Sequence, residues 1–413
     1  MSGHQNAGVD SLLARLAVSI RRAAPAQAIF LLGSAARNEL SYRLRLDGSV
    51  EFFSDLEFLL VVHRRLSGEA RRRLRHIIAE EERRIANPNP LFHIDVAVRE
   101  RRRLATLPPT IFTFELRANG KLLYGEDLLQ EVPLVTTANL DYANTREILF
   151  KRLWAVLLHL PRALLRRPLR ERERRVMGYV LCRNVLDIPT VLLPHEGVLL
   201  PTYRARVAYL LREGERLRMS TAFAPTFPRF LARCLERRLA PDFTAAALVP
   251  LYGEVIAALE QALTFLLPQG MSLGALASRS HHLFNESPRS RGELYGWGRL
   301  ALRLGRRYGT RRLWQWLRLR RKSELTLGLL AMHRAALSYL GGEHAEAEAS
   351  LQVAARTLHR LWPPFEEEAA GDFATRWLAL RSRWGDFWRA FIRLGDPAYA
   401  ARFHDVMEWE DES

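Results

Sequence analysis

Two short stretches decide how this chain reads: Phe30-Leu31-Leu32-Gly33-Ser34 and Ser54-Asp55-Leu56-Glu57-Phe58-Leu59-Leu60-Val61-Val62. The first is an apolar run that ends in a Gly-Ser turn. The second is an apolar run that opens with two carboxylates one residue apart. Side chains alternate across a strand, so Asp55 and Glu57 point to one face. A third run, Phe92-His93-Ile94-Asp95-Val96-Ala97-Val98, carries a single carboxylate. An Asp inside an apolar strand goes against strand propensity and asks for a reason. If this strand lies alongside the second, three carboxylates converge, which is costly unless cations neutralise them. Oxygen ligands of this kind suit magnesium. His93 shares a face with Asp95 in an extended chain, but a lone histidine is more often a packing residue, and it is not assigned to the site.

A Gly-Ser pair alone is a common turn. Beside an acidic pair it gains meaning, because glycine lets the backbone approach a phosphate while free N–H groups and the serine hydroxyl donate hydrogen bonds. Gly33-Ser34, then Asp55-Leu56-Glu57, then Asp95 on a later strand resembles the nucleotidyltransferase superfamily that includes polymerase beta, aminoglycoside nucleotidyltransferases and the minimal nucleotidyltransferases of toxin–antitoxin pairs. The resemblance covers roughly the first third of the chain on a domain-size prior. The block Ala118 to Gly125 is similar to the end of such domains, where a short hairpin precedes a helical partner.

The resemblance implies an α+β fold: a small polymerase-beta-like domain with a mixed sheet and helices, followed by a large all-α C-terminal region. It implies that Asp55, Glu57 and Asp95 are catalytic and hold two Mg2+ ions, and that Gly33 and Ser34 bind the phosphates of a nucleoside triphosphate, expected to be ATP. The chain departs from compact members of the family between Ser41 and Phe53. There Asp47-Gly48, flanked by alternating residues, signals an added hairpin.

Taken in order, Ser11 to Ala24 reads as an amphipathic helix stopped by Pro25. Ser67 to Ile85 reads as a helix with Leu74, Ile77 and Ile78 inward, broken by Asn87-Pro88-Asn89-Pro90. Thr110 to Leu116 fits helix or strand. Lys121 is a candidate phosphate neutraliser but reads better as a turn lysine. From about Asp141 the short strands give way to helical periodicity: Thr145–Leu160, Arg172–Asp187, Tyr203–Leu217, Phe227–Leu239 and Thr244–Leu267, punctuated by prolines. The expected organisation is a nucleotidyltransferase domain over 1–135, a helical bundle over 140–268 as an acceptor-binding wall, a linker or mobile loop over 269–292, and a helical domain over 293–413.

Arg183-Asn184 is polar within an apolar helical pattern and fits either an exposed turn or a substrate contact. His281-His282 are adjacent and cannot both face one ion, so no metal site is assigned there. The Arg/Trp interleaving over 311–318 resembles a stacking surface but reads better as an amphipathic core helix. Ala331–Leu340, Gly341-Gly342 and Ala345–Leu361 read as one helical hairpin with no second copy at a fixed period.

The chain has 413 residues and a net charge of +17. Only three of its basic residues are lysine (Lys121, Lys151 and Lys322), an arginine bias that GC-rich codon usage also produces. The charge permits an anionic partner without demonstrating one. The two cysteines, Cys182 and Cys234, lie far apart in sequence and read as buried free thiols of a reducing compartment. Met1 to Asp10 lacks a signal-peptide layout, and no uninterrupted apolar run reaches transmembrane length, so a cytoplasmic protein away from membranes is expected.

The leading expectation is metal-dependent transfer of a nucleoside monophosphate to an acceptor hydroxyl of a small molecule or protein, with release of pyrophosphate. RNA 3′-end nucleotide addition is the second enzymatic reading, supported by the basic charge. A non-catalytic nucleotide sensor or interaction protein is the alternative of a different class.

Overall fold

The computed structural model describes residues 3–89, 91–267, 322–361 and 370–393. The expected linker over 269–292, His281-His282 and the Arg/Trp stretch over 311–318 lie outside the described residues. The architecture is α+β: a small mixed sheet near the N-terminus and a helical C-terminal region. The chain divides into two compact units, neither contiguous in sequence. The first comprises 1–142, 193–212 and 235–241, and the second comprises 143–192, 213–234 and 242–413.

The first unit is built on a four-stranded sheet. Its strands are β1 (Ala28–Leu31), β4 (Leu56–Val62), β5 (Ile94–Glu100) and β6 (Lys121–Gly125), in the order β5-β4-β1-β6. β4 runs antiparallel to β1 and parallel to β5. Between β1 and β4, β2 (Tyr42–Leu44) and β3 (Val50–Phe52) form the hairpin signalled by Asp47-Gly48, with Gly48 at φ +79° in the turn. The block around residues 118–125 is not the expected hairpin. Helix α4 (Ile111–Asn119) ends at Gly120, and the residues after it form β6 on β1. Thr110 caps α4 by accepting the Thr113 N–H, which resolves the helix-or-strand ambiguity of that stretch.

Strand alternation divides the core. Leu56, Phe58, Leu60 and Val62 pack with Ile29, Leu31 and Ile94 on one face, under α1 (Gly3–Ala23) and α3 (Gly68–Ile85). Leu59 and Val61 pack with Phe30, Leu32 and Leu116 of α4 on the other. Helix α1 starts earlier than its apolar periodicity indicated. Ser67 caps α3, and Ala86 ends it in the left-handed region. The breaker after α3 is also structural. The Asn87 Oδ1 accepts the Phe52 N–H at 2.8 Å, while the Asn87 and Asn89 side-chain amides both donate to the Phe52 carbonyl. Helix α2 is a single turn, Gly33–Ala36.

The second unit is helical: most of α5 (Tyr142–His159), α6 (Glu171–Val185), much of α9 (Phe227–Leu239), α10 (Ala245–Phe265), α11 (Lys322–Leu340), α12 (His344–Leu361) and α13 (Phe373–Arg393). α11 and α12 form the hairpin read from Gly341-Gly342, with Gly342 at φ +83°. Helix α7 (Asp187–His195) was not expected, because its prolines read as stops. Pro189 falls in its first turn, where the missing N–H has no helical partner anyway. α8 (Tyr203–Glu213) belongs to the first unit.

Trp154 of α5 and Trp377 and Trp384 of α13 are fully buried, so these tryptophans are core. Asn184 is not exposed: its amide donates to the Val180 carbonyl within α6, and it is buried. Cys182 and Cys234 are free and buried, and the neighbouring Cys182 thiol, together with burial, holds the Cys234 pKa above the usual thiol value. By length and composition, Glu171–His195 and Ala245–Phe265 reach membrane-crossing size; 94% and 50% of their apolar windows are buried within the protein.

Candidate active site

The sheet topology gathers the three candidate stretches at one end. β1 ends at Leu31, two residues before Gly33, and the antiparallel partner β4 begins at that same end. β5 is parallel to β4, so it begins there too, with Glu57 the register partner of Asp95. Glu57 lies on the face of Leu59 and Val61, Asp95 on the face of Ala97, and both faces are the α4 side of the sheet. Asp55 stands one residue before β4, and His93 one residue before β5. Their side chains meet, with His93 Nδ1 2.9 Å from Asp55 Oδ1. The backbone closes the junction through Leu56 N–H to His93 O at 3.1 Å.

Gly33 adopts φ +60°, a conformation disfavoured for residues with a Cβ. It also lies directly against the Glu57 carboxylate, which occupies the space a Cβ would need. The Leu32 N–H donates to the Glu57 carbonyl at 2.8 Å, so the turn is fastened to β4 by backbone as well. Ser34 is buried at the start of α2. The turn and the first acidic strand therefore form one packed arrangement.

The three carboxylates have unequal surroundings. Asp95 is exposed, so its place in an apolar strand carries no burial penalty and needs no cation on that account. Asp55 is half-buried and paired with His93, and Glu57 is half-buried against Gly33. Among the described residues, no three His, Cys, Asp or Glu side chains lie close enough together to hold a metal ion. The donors are carboxylate oxygens, the chemistry a hard divalent cation takes, and Glu57 and Asp95 share one face, with Gly33 leaving room for the Glu57 carboxylate. Lys121 does not reach toward this face; its ammonium donates to Asn38 Oδ1 at 2.6 Å.

Behind the turn stands a buried charge network that the sequence reading missed. Arg37 donates to Glu39 at 3.2 Å and to Glu115 of α4 at 2.5 Å. Arg206 of α8 donates to the other Glu115 oxygen at 2.6 Å. Glu39, fully buried, accepts the Arg204 N–H at 2.8 Å. Arg238 donates to the Glu39 carbonyl at 2.7 Å and approaches the Ser54 hydroxyl at 3.5 Å, while its own carbonyl accepts from Ser41. The guanidiniums of Arg37, Arg206 and Arg238 all lie within 6 Å of the Tyr203 ring. Burial opposes the charge on Arg37, but Glu115, then Tyr203, Glu39 and Glu57, hold its pKa above the ordinary arginine value.

A signal for this network was present in the sequence. In α8 the buried positions Tyr203, Val207 and Leu210 include Arg206 at the apolar spacing, and in α9 Phe227, Phe230, Leu231, Cys234 and Leu235 lead to Arg238 at the same spacing. An arginine on an apolar stripe marks a buried partner. Comparison of the chain with protein-family models, with curated proteins and with solved structures finds no match.

Proposed function

We infer that the chain is a metal-dependent nucleotidyltransferase that moves a nucleoside monophosphate from ATP or another nucleoside triphosphate to an acceptor hydroxyl. One observation carries the reading: Glu57 packs on Gly33 of the turn while its register partner on the adjacent parallel strand is Asp95. A phosphate-binding turn and carboxylates from two strands thereby share one end and one face of the sheet. Asp55, Glu57 and Asp95 are the residues that would hold magnesium. When bound, the metal supplies charge neutralisation at the phosphates and lowers the pKa of an attacking hydroxyl.

The chain's own part is binding and alignment. The Gly33-Ser34 backbone and the Ser34 hydroxyl orient the triphosphate. The carboxylates receive the acceptor proton as the new oxygen–phosphorus bond forms and the bond from the α-phosphorus to pyrophosphate breaks. A small-molecule or protein hydroxyl is the favoured acceptor class, with RNA 3′ ends as the alternative. A second reading, a non-catalytic nucleotide sensor, is favoured by the Asp55–His93 pairing and by the absence of a closed ligand set among the described residues.

The test is label transfer from each α-labelled nucleoside triphosphate, with magnesium, into a host extract by the full chain. Wild type should label one fraction (protein, RNA or metabolite), and Asp55→Asn/Asp95→Asn should not. Equal labelling by both would end the assignment of these carboxylates. Magnesium–nucleotide binding without transfer would move the chain to the sensor reading.

A further inference from the structure

The sheet face opposite the carboxylates carries a cavity of about 460 Å³ between α1, β6 and the segment after α2. Its floor is apolar, formed by Leu13, Leu31, Leu40 and Leu123. Leu31 and Leu123 belong to the core on the α1 side, whereas Glu57 lies on the α4 side, so the cavity is separate from the site described above. Its size falls in the range of small-molecule sites.

The mouth is charged and unbalanced. Arg21 lies over the Tyr124 ring at 4.7 Å, and Lys121 donates one bond to Asn38, a residue held at φ +55°. Asp10 also lines the mouth, and none of Arg21, Lys121 and Asp10 makes an ion pair among the described residues. Asp10 and Arg21 are eleven residues apart on α1, about 16 Å along the axis. The Arg21 end is thus cationic, with an aromatic support and no nearby carboxylate from its own helix. An ammonium and a guanidinium around an apolar floor select a ligand with a greasy body and an anionic head.

We propose that this cavity binds a small amphipathic anion: an apolar chain seated on Leu13, Leu31 and Leu123, with its carboxylate on Arg21. The lining residues Leu31 and Ala35 flank Gly33-Ser34 in sequence, which places such a ligand on the back of the turn.

The probe is decanoate, titrated calorimetrically below its micelle concentration into the full chain, with octanoate, decylamine and acetate alongside. Decanoate should saturate one site, and octanoate should bind roughly ten- to fifteenfold more weakly, about fourfold per methylene. Decylamine and acetate should not bind measurably. Ala14→Trp, at an exposed position on the wall, and Arg21→Glu, also exposed, should each weaken decanoate at least tenfold with unchanged circular dichroism. No saturable decanoate binding would overturn the proposal. So would equal binding of decylamine, or decanoate affinity unchanged in Ala14→Trp. None of these readouts depends on nucleotide transfer.

Discussion

The carboxylate of Glu57 fills the space that a side chain on residue 33 would require, and Gly33 holds a backbone angle of φ +60° to let it do so. Two separate demands thus fall on one glycine. Gly48 carries only the backbone demand: its φ is +79° in the β2–β3 turn, with open space around it. Gly48→Ala should therefore cost the backbone term alone, about 1 kcal/mol. Gly33→Ala should cost more, because the glutamate must also move, and it should impair any function of Glu57. Urea unfolding of both variants, and of Gly33→Ala in a Glu57→Ala background, measures this. Equal costs for the two glycines in the wild-type background would refute the contact argument.

Glu39 is buried among Arg37, the Arg204 N–H and the Arg238 side chain, which bonds to its carbonyl. Replacing it with glutamine leaves the geometry near and removes the charge. The cost of breaking a buried pair from one side is about 3–5 kcal/mol. Glu39→Gln should lower the unfolding free energy of the first unit by about that amount. The loss should persist when ionic strength rises, since buried pairs are poorly screened. A loss below about 1 kcal/mol, or one abolished by salt, would show that the network is peripheral.

His333 sits wholly inside the helical unit. Its Nε2 is 3.1 Å from the Leu153 carbonyl and its Nδ1 is 2.7 Å from the Tyr252 hydroxyl, so it fits the neutral tautomer that donates to one and accepts from the other. Burial pushes its pKa down to about 4, against a smaller upward pull from Leu153. Between that value and the ordinary pKa near 6.5 the unfolded chain binds more protons than the folded one, so stability rises with pH. The contribution is complete above about pH 6.5 and is lost as pH falls through the window toward about 4, up to roughly 3 kcal/mol. Chemical denaturation across pH 4–7 should show this slope, reduced in His333→Phe/Tyr252→Phe. An identical slope in the double variant would assign it to other groups.

Local signals carried much of the fold. Asp47-Gly48 marked its hairpin, and Gly341-Gly342 marked the α11–α12 turn. These features need only a few neighbouring residues. The prolines of α7 misled because a proline's effect depends on its position within a helix turn, and that position is fixed only once the helix start is known.

By itself the sequence determined the α+β class, the strand-borne carboxylates and the Gly-Ser turn, because strand periodicity and turn chemistry are short-range. Only the tertiary structure decided that Glu57 faces Asp95 in register, that His93 takes Asp55, and that Asp95 remains exposed. It alone brought Arg206 and Arg238 to Glu115 and Glu39, from helices more than 90 residues away in the chain. Strand order and buried charge pairing depend on long-range contacts, whose energy lies in desolvation and packing between distant segments and leaves only a faint mark, an arginine on an apolar stripe, in any one of them.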